Sequence, residues 1–179
     1  MLILDTETTS LTAPSGAPLS QQPYVMELAV IKLDFQSLKE VARLEFMCSI
    51  PVPIPPEAVK ITGITDADLA GKPPFIHYLA RLQEFFLGQR TLVAHNLSYD
   101  RDCLYYELMR VGKVTNFPFP PRHVCTVEAN LHIVGYRMKL GDLYKVATGG
   151  REHTEAHRAI GDTLALVEVV KWMRKEGRI

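Results

Sequence analysis

The chain has 179 residues, 47% of them hydrophobic, which suits one globular domain large enough to bury most of its apolar surface. Lys and Arg total 20 and Asp and Glu total 20, so the net charge is zero. That argues against a protein that coats duplex DNA non-specifically, which carries a basic surplus, and confines any nucleic-acid contact to a local site such as a strand end.

The opening Met1-Leu2-Ile3-Leu4 reads as a buried strand, too short for a secretory or membrane segment, with Asp5-Thr6-Glu7 at its C-terminal end. Residues 9–23, rich in Ser, Thr, Pro and Gly, read as a loop; 24–34 and 40–50 read as further strands. Pro51 to Pro56 cannot pair within a sheet. Two helical turns follow, the second opening at Thr65 with Asp66 and Asp68 in its first turn. Pro73-Pro74 introduces a helix to about Leu87, Thr91–Ala94 is a buried strand, and a helix runs from about Asp100 to Val111. A Pro-rich loop, a short strand at His123–Cys125, a short helix at Leu140–Ala147 and a long helix from about Ala156 to Lys175 complete the pattern. Strands first and interleaved helices afterwards predict an α/β mixed sheet flanked by helices, and nothing marks a domain boundary within 1–179. Three widely separated cysteines (Cys48, Cys103, Cys125) without metal-ligand spacing fit reduced thiols in a cytoplasmic protein.

Asp5 and Glu7 lie two apart on a strand, so their carboxylates share a face and repel unless a cation sits between them. An all-oxygen site suits a hard divalent ion such as Mg²⁺ or Mn²⁺. Taken alone, the pair reads equally as a solvated strand end. His95-Asn96-Leu97-Ser98-Tyr99-Asp100 follows a buried strand. Asp100 there is either a helix N-cap or a further carboxylate at the strand-end crevice where open α/β sheets bind ligands. His157 and Asp162 are five apart, about 140° around an ideal helix, so they do not share a helical face. The spacing predicts His157 at or before the helix start and Asp162 held on the helix, in an otherwise apolar run where an unpaired charge is costly.

Asp5-Thr6-Glu7-Thr8, His95-Asn96-x-x-Tyr99-Asp100 and His157-Arg158-Ala159-x-x-Asp162, in this order, closely resemble the DEDDh (DnaQ-like) 3′→5′ exonuclease superfamily. Within it the chain looks most like exonuclease X and the proofreading epsilon subunits of bacterial replicative polymerases. Tyr24 to Ala29, Ile61 to Asp66 and Lys72 to Phe75 extend the resemblance over nearly the whole chain, and Arg158, not Tyr, four before Asp162 favours the His branch. The resemblance implies an RNase H-like fold in which Asp5, Glu7, Asp100 and Asp162 hold two Mg²⁺ or Mn²⁺ ions. His157 would take the proton from the attacking water, and Thr6, Thr8, Leu11, Asn96 and Tyr99 would hold the terminal nucleotide. It favours DNA ends, single-stranded or frayed, over RNA. No apolar run approaches membrane length, so no membrane partner is expected, nor is an obligate protein partner; polymerase association and a homodimer stay open. Thr62 where the family commonly has His, and Ser10 where it commonly has Gly, depart from the pattern, and the loop after Ser10 is long.

Two other readings compete. Asp5-Thr6-Glu7-Thr8-Thr9 faintly matches the D-x-D-x-T loop of aspartyl-phosphate phosphatases, but Glu7 stands at the third position and both histidine segments go unused. A non-catalytic binding module on the same fold is the other, against which stands the complete acidic set. The absence of a tail beyond the last helix favours a stand-alone enzyme over a proofreading subunit.

Overall fold

In the computed structural model, which describes residues 1–154 and 156–179, the first strand carries the acidic segment at its C-terminal end, as expected: β1 spans Leu2–Thr8. Its alternation sets the layers. Leu2 and Leu4 point into one core; Met1 and Ile3 point into another on the opposite face. Asp5 and Glu7 continue the second series and Thr6 the first, because side chains alternate with period two.

β1 pairs antiparallel with β2 (Val25–Leu33), which pairs antiparallel with β3 (Glu40–Met47). On its other edge β1 pairs in parallel with β4 (Thr91–Ala94), followed by β5 (Arg122–Cys125), giving a five-stranded sheet of order β3-β2-β1-β4-β5. The expected mixed sheet flanked by helices is therefore found.

Between β3 and β4 lie α1 (Pro56–Thr62), α2 (Asp66–Leu69) and α3 (Phe75–Phe86). α2 opens at Thr65 as expected, and there Thr65 and Asp68 form a capping box, each satisfying the other's backbone N–H group. α4 (Leu97–Arg110) packs with α3 on the Leu2 and Leu4 face, through Leu79, Leu82, Phe86, Cys103, Leu104 and Leu108. After β5 come α5 (Thr126–Val134), α6 (Leu140–Ala147) and α7 (Ala159–Lys175). α7 covers the opposite face with Leu166, Val167 and Val170 against Ile3, Ile31 and Val93.

Two helix starts differ from the sequence reading. α4 begins one turn early, with Asn96 in left-handed conformation (φ 61°) as its N-cap, so Asp100 is a first-turn residue and not the cap. α7 begins at Ala159, three residues later than periodicity suggests, since Ala156 adds apolar character without contributing to the core. α5 has no counterpart in the sequence reading. Among the described residues no helix is long and apolar enough to cross a membrane.

Candidate active site

The site forms where neighbouring strands part. β1 and β4 are parallel, but the chain leaves β1 toward β2 and β4 toward β5, which opens a crevice beyond the strands' carboxyl ends. The β1–β4 ladder stops at Ile3 opposite Val93, leaving backbone beyond it in need of partners. Asp100 supplies one from α4: its Oδ1 accepts from Thr6 N at 3.0 Å and from Thr6 Oγ1 at 2.8 Å. A carboxylate on the α4 side is thus tied to the strand that carries Asp5 and Glu7.

From the other face comes α7. Asp162, in its first turn and largely buried, accepts from the backbone N–H of His157 at 3.0 Å through Oδ2 and from the ring of His153 through Oδ1. His157 lies ahead of the helix with a left-handed backbone (φ 66°), as its five-residue offset from Asp162 suggested. Ligand atoms of Glu7, His157 and Asp162 lie within 4.8 Å of one another. Asp5 stands outside this trio but lines one cavity with His157 and Asp162.

Collecting carboxylates in one crevice has an electrostatic cost. Burial, then the charge of Asp162, Glu27 and Asp100, pushes the Glu7 carboxyl up to about 8. Asp5 is driven well above the usual carboxylate range by burial and then by Asp100, Asp162 and Glu7. Burial also raises Asp100, to about 7, against the lowering effect of its two Thr6 hydrogen bonds. Such a set is satisfied by a cation, and oxygen donors beside one imidazole suit a hard divalent ion. By this test the residues fit the metal that the sequence implies.

Glu27 is a member of the cluster that the sequence reading passed over. It sits directly opposite Glu7 across the β1–β2 pair and is buried. Like charges so placed repel, and Arg158 answers with a fork: Nη2 donates to Glu27 Oε1 at 2.7 Å and Nε to Oε2 at 3.1 Å. Oε2 also accepts from Ala159 N at 2.9 Å, so Glu27 caps α7 and holds the helix that carries Asp162. Only the strand register makes this pairing visible. His153 was also missed, because nine residues before Asp162 corresponds to no helical or strand spacing. His95 is structural: its Nε2–H donates to the Met138 carbonyl at 3.1 Å, leaving Nδ1 to accept from the Thr126 hydroxyl at 2.9 Å.

Two cavities flank the carboxylates. One, of about 620 Å³, is mainly apolar, with Thr6, Thr8, Leu11, Ile61, Thr62 and Tyr99 in its walls. Tyr99 and Thr8 touch through their hydroxyls, and the Tyr99 hydroxyl donates to the Ser10 carbonyl at 2.8 Å. Thr62 spends its hydroxyl locally, donating to Ala58 O at 2.9 Å and accepting from Ile64 N at 3.1 Å. Asn96 is not in this cavity. It lines the other, of about 570 Å³, where Arg137 Nη2 donates to its Oδ1 at 3.0 Å and Lys139 lies nearby.

The fold and this acidic crevice together define a hydrolase of the RNase H-like nuclease class. The exonuclease family described by the RNase T model matches residues 2–170, and the chain belongs to that family. It is 30% identical to the DNA polymerase III epsilon subunit of Rickettsia typhi over 94% of this chain and 71% of that one. It is 27% identical to the PolC-type DNA polymerase III of Bacillus cereus over 98% of this chain, but spans only 12% of that polymerase. Among solved structures it is similar to exonuclease X in complex with 5′ overhanging duplex DNA, with 25% identity, TM-score 0.66, and 98% and 92% of the two chains covered. The nuclease domain of 3′hExo, a DEDDh family member bound to rAMP, shares the fold at TM-score 0.77 and 16% identity, over 98% of this chain and 92% of that one. The DEDDh, DnaQ-like assignment expected from the motifs therefore holds, and exonucleases of this type use divalent metals.

Proposed function

We propose that residues 1–179 act as one exonuclease domain that removes nucleoside 5′-monophosphates from the 3′ end of DNA, single-stranded or frayed. The observation that carries this reading is the carboxylate crevice with an apolar cavity on one side and a cavity bearing Arg137 and Lys139 on the other. A terminal nucleoside fits the first and the phosphate-bearing strand the second.

Asp5, Glu7, Asp100 and Asp162 would hold Mg²⁺ or Mn²⁺. Two such ions, when bound, supply the positive charge that clamps the attacking and leaving oxygens of an anionic phosphodiester. Thr6, Thr8, Leu11 and Tyr99 enclose the terminal nucleoside, and Asn96 meets the strand behind it. His157 accepts the proton of the attacking water, a task suited to imidazole near neutral pH. Its place ahead of α7 leaves the ring exposed beside Glu7 and Asp162. Nucleic acid is the partner; polymerase association and homodimer formation are not needed for a site that lies within one chain.

DNA is favoured by the DNA polymerase relatives and by exonuclease X on duplex DNA. An RNA-directed exonuclease is the second reading, supported by the fold shared with rAMP-bound 3′hExo. The test is a time course on 5′-labelled DNA and RNA oligonucleotides with Mg²⁺ or Mn²⁺, and with EDTA as control. We expect a ladder shortening from the 3′ end, faster on DNA, abolished by EDTA and by Asp162→Ala. Faster cleavage of RNA establishes the second reading. Intact oligonucleotides under every metal condition leave a non-catalytic binding module, and a fully active Asp162→Ala variant refutes the site.

A further inference from the structure

Among the side chains around the carboxylates, His153 contacts Asp162 directly and has no assigned task. Its side chain is 8% exposed, its ring lies 5.6 Å from that of Tyr144 between centroids, and its Nε2 meets Asp162 Oδ1. A carboxylate only accepts, so Nε2 carries the proton in this contact. The other oxygen of Asp162 is taken, at 3.0 Å, by the backbone N–H of His157. The preceding residue, Glu152, is paired with Lys145 of α6. The segment ahead of α7 is therefore tied to α6 on one side and to Asp162 at two points.

We propose that His153 is a positioning residue that sets the orientation of Asp162 toward a divalent cation; the inference rests on the metal-dependent reading above. The terminal torsion of an aspartate is broad and roughly two-fold, so one partner leaves the carboxylate free to rotate. Partners on both oxygens fix its plane. Each oxygen keeps a second lone pair, which is what a cation near Glu7 and His157 requires. The same contact seats the backbone of His157, since both histidines close on one carboxylate from opposite ends of a five-residue stretch. Hydrogen bonds behind a metal ligand are worth about 10–100-fold in metal affinity or activity.

The test titrates Mn²⁺ into the protein by calorimetry without nucleic acid, then measures exonuclease KM for an oligonucleotide at saturating Mn²⁺. His153→Ala should raise the Mn²⁺ Kd about 10–100-fold and leave the oligonucleotide KM unchanged. His153→Gln, whose amide N–H can donate, should keep most of the affinity. In an Asp162→Asn background, His153→Ala should cause no further loss, because the residue acts through that carboxylate. Wild-type Mn²⁺ affinity in His153→Ala, or a loss that adds fully to that of Asp162→Asn, overturns the proposal. If His153→Ala fails to fold, a His153→Gln variant that binds Mn²⁺ no better than Asp162→Asn overturns it too. A wild-type protein that binds no Mn²⁺ and cleaves nothing overturns the metal-dependent reading itself, a result distinct from a variant matching an active wild type.

Discussion

Glu7 carries a proton in the folded, metal-free protein at pH values where an unfolded chain has lost it. Its carboxyl rises from the ordinary 4.5 to about 8, through burial first and neighbouring carboxylates second. Between those values the native state binds more protons than the unfolded state, so stability falls as pH rises. Glu7→Gln removes that proton difference while keeping the shape. In EDTA, the melting temperature of the variant should decline less steeply than that of the wild type from about pH 5 to 8. Parallel curves would show that Glu7 is not the source of the slope. Thr6 shows a residue-scale division of labour: its backbone and hydroxyl orient Asp100, while its neighbours on either side carry the acidic chemistry.

At the scale of elements, the start of α7 is decided by a strand. Glu27 of β2 accepts from Ala159 N and from the Arg158 fork, which places Asp162 one turn further along, over β1. Loss of a capping carboxylate of this kind costs about 1–2 kcal/mol, and charge-assisted hydrogen bonds about 1.5–3. The Arg158 side chain is 51% exposed and can be solvated when left alone, which keeps the expected loss near the lower figures. Glu27→Ala should therefore lower stability by about 2 kcal/mol in urea denaturation. Exonuclease activity should fall with it, as Asp162 and His157 lose their common reference. An unchanged urea midpoint would remove Glu27 from this role. The register shift between Glu7 and Thr8 belongs to the same scale: Glu7 faces Glu27 and Thr8 faces Val25, so Met26 of β2 is the extra residue just beyond Glu27.

For the whole molecule, zero net charge hides a strong local imbalance: Asp5, Glu7, Glu27, Asp100 and Asp162 converge at one end of the sheet. A cation that binds the native state alone stabilises it by about 2.7 kcal/mol at one hundred times its Kd, or roughly 5–10 °C for a chain of this size. Its ligands must shed protons first, so binding strengthens with pH. Thermal melts with Mn²⁺ should accordingly show a larger upward shift near pH 8 than near pH 6. Equal shifts at both values would mean that the raised carboxylates are not the ligands.

The sequence by itself determined the mixed sheet and most element positions, which rest on alternation and helix punctuation, and it singled out the three acidic segments through their order and their resemblance to one exonuclease superfamily. It also placed His157 ahead of a helix, since five residues cannot keep two side chains on one helical face. Only the tertiary structure decided that Asp100 reaches across to Thr6, that Asn96 lines a different cavity from Tyr99, and that His153 rests on Asp162. Each depends on which strands part and which faces meet. The opposition of Glu27 and Glu7 is likewise a matter of register between strands, and a one-residue slip would turn either carboxylate to the other face.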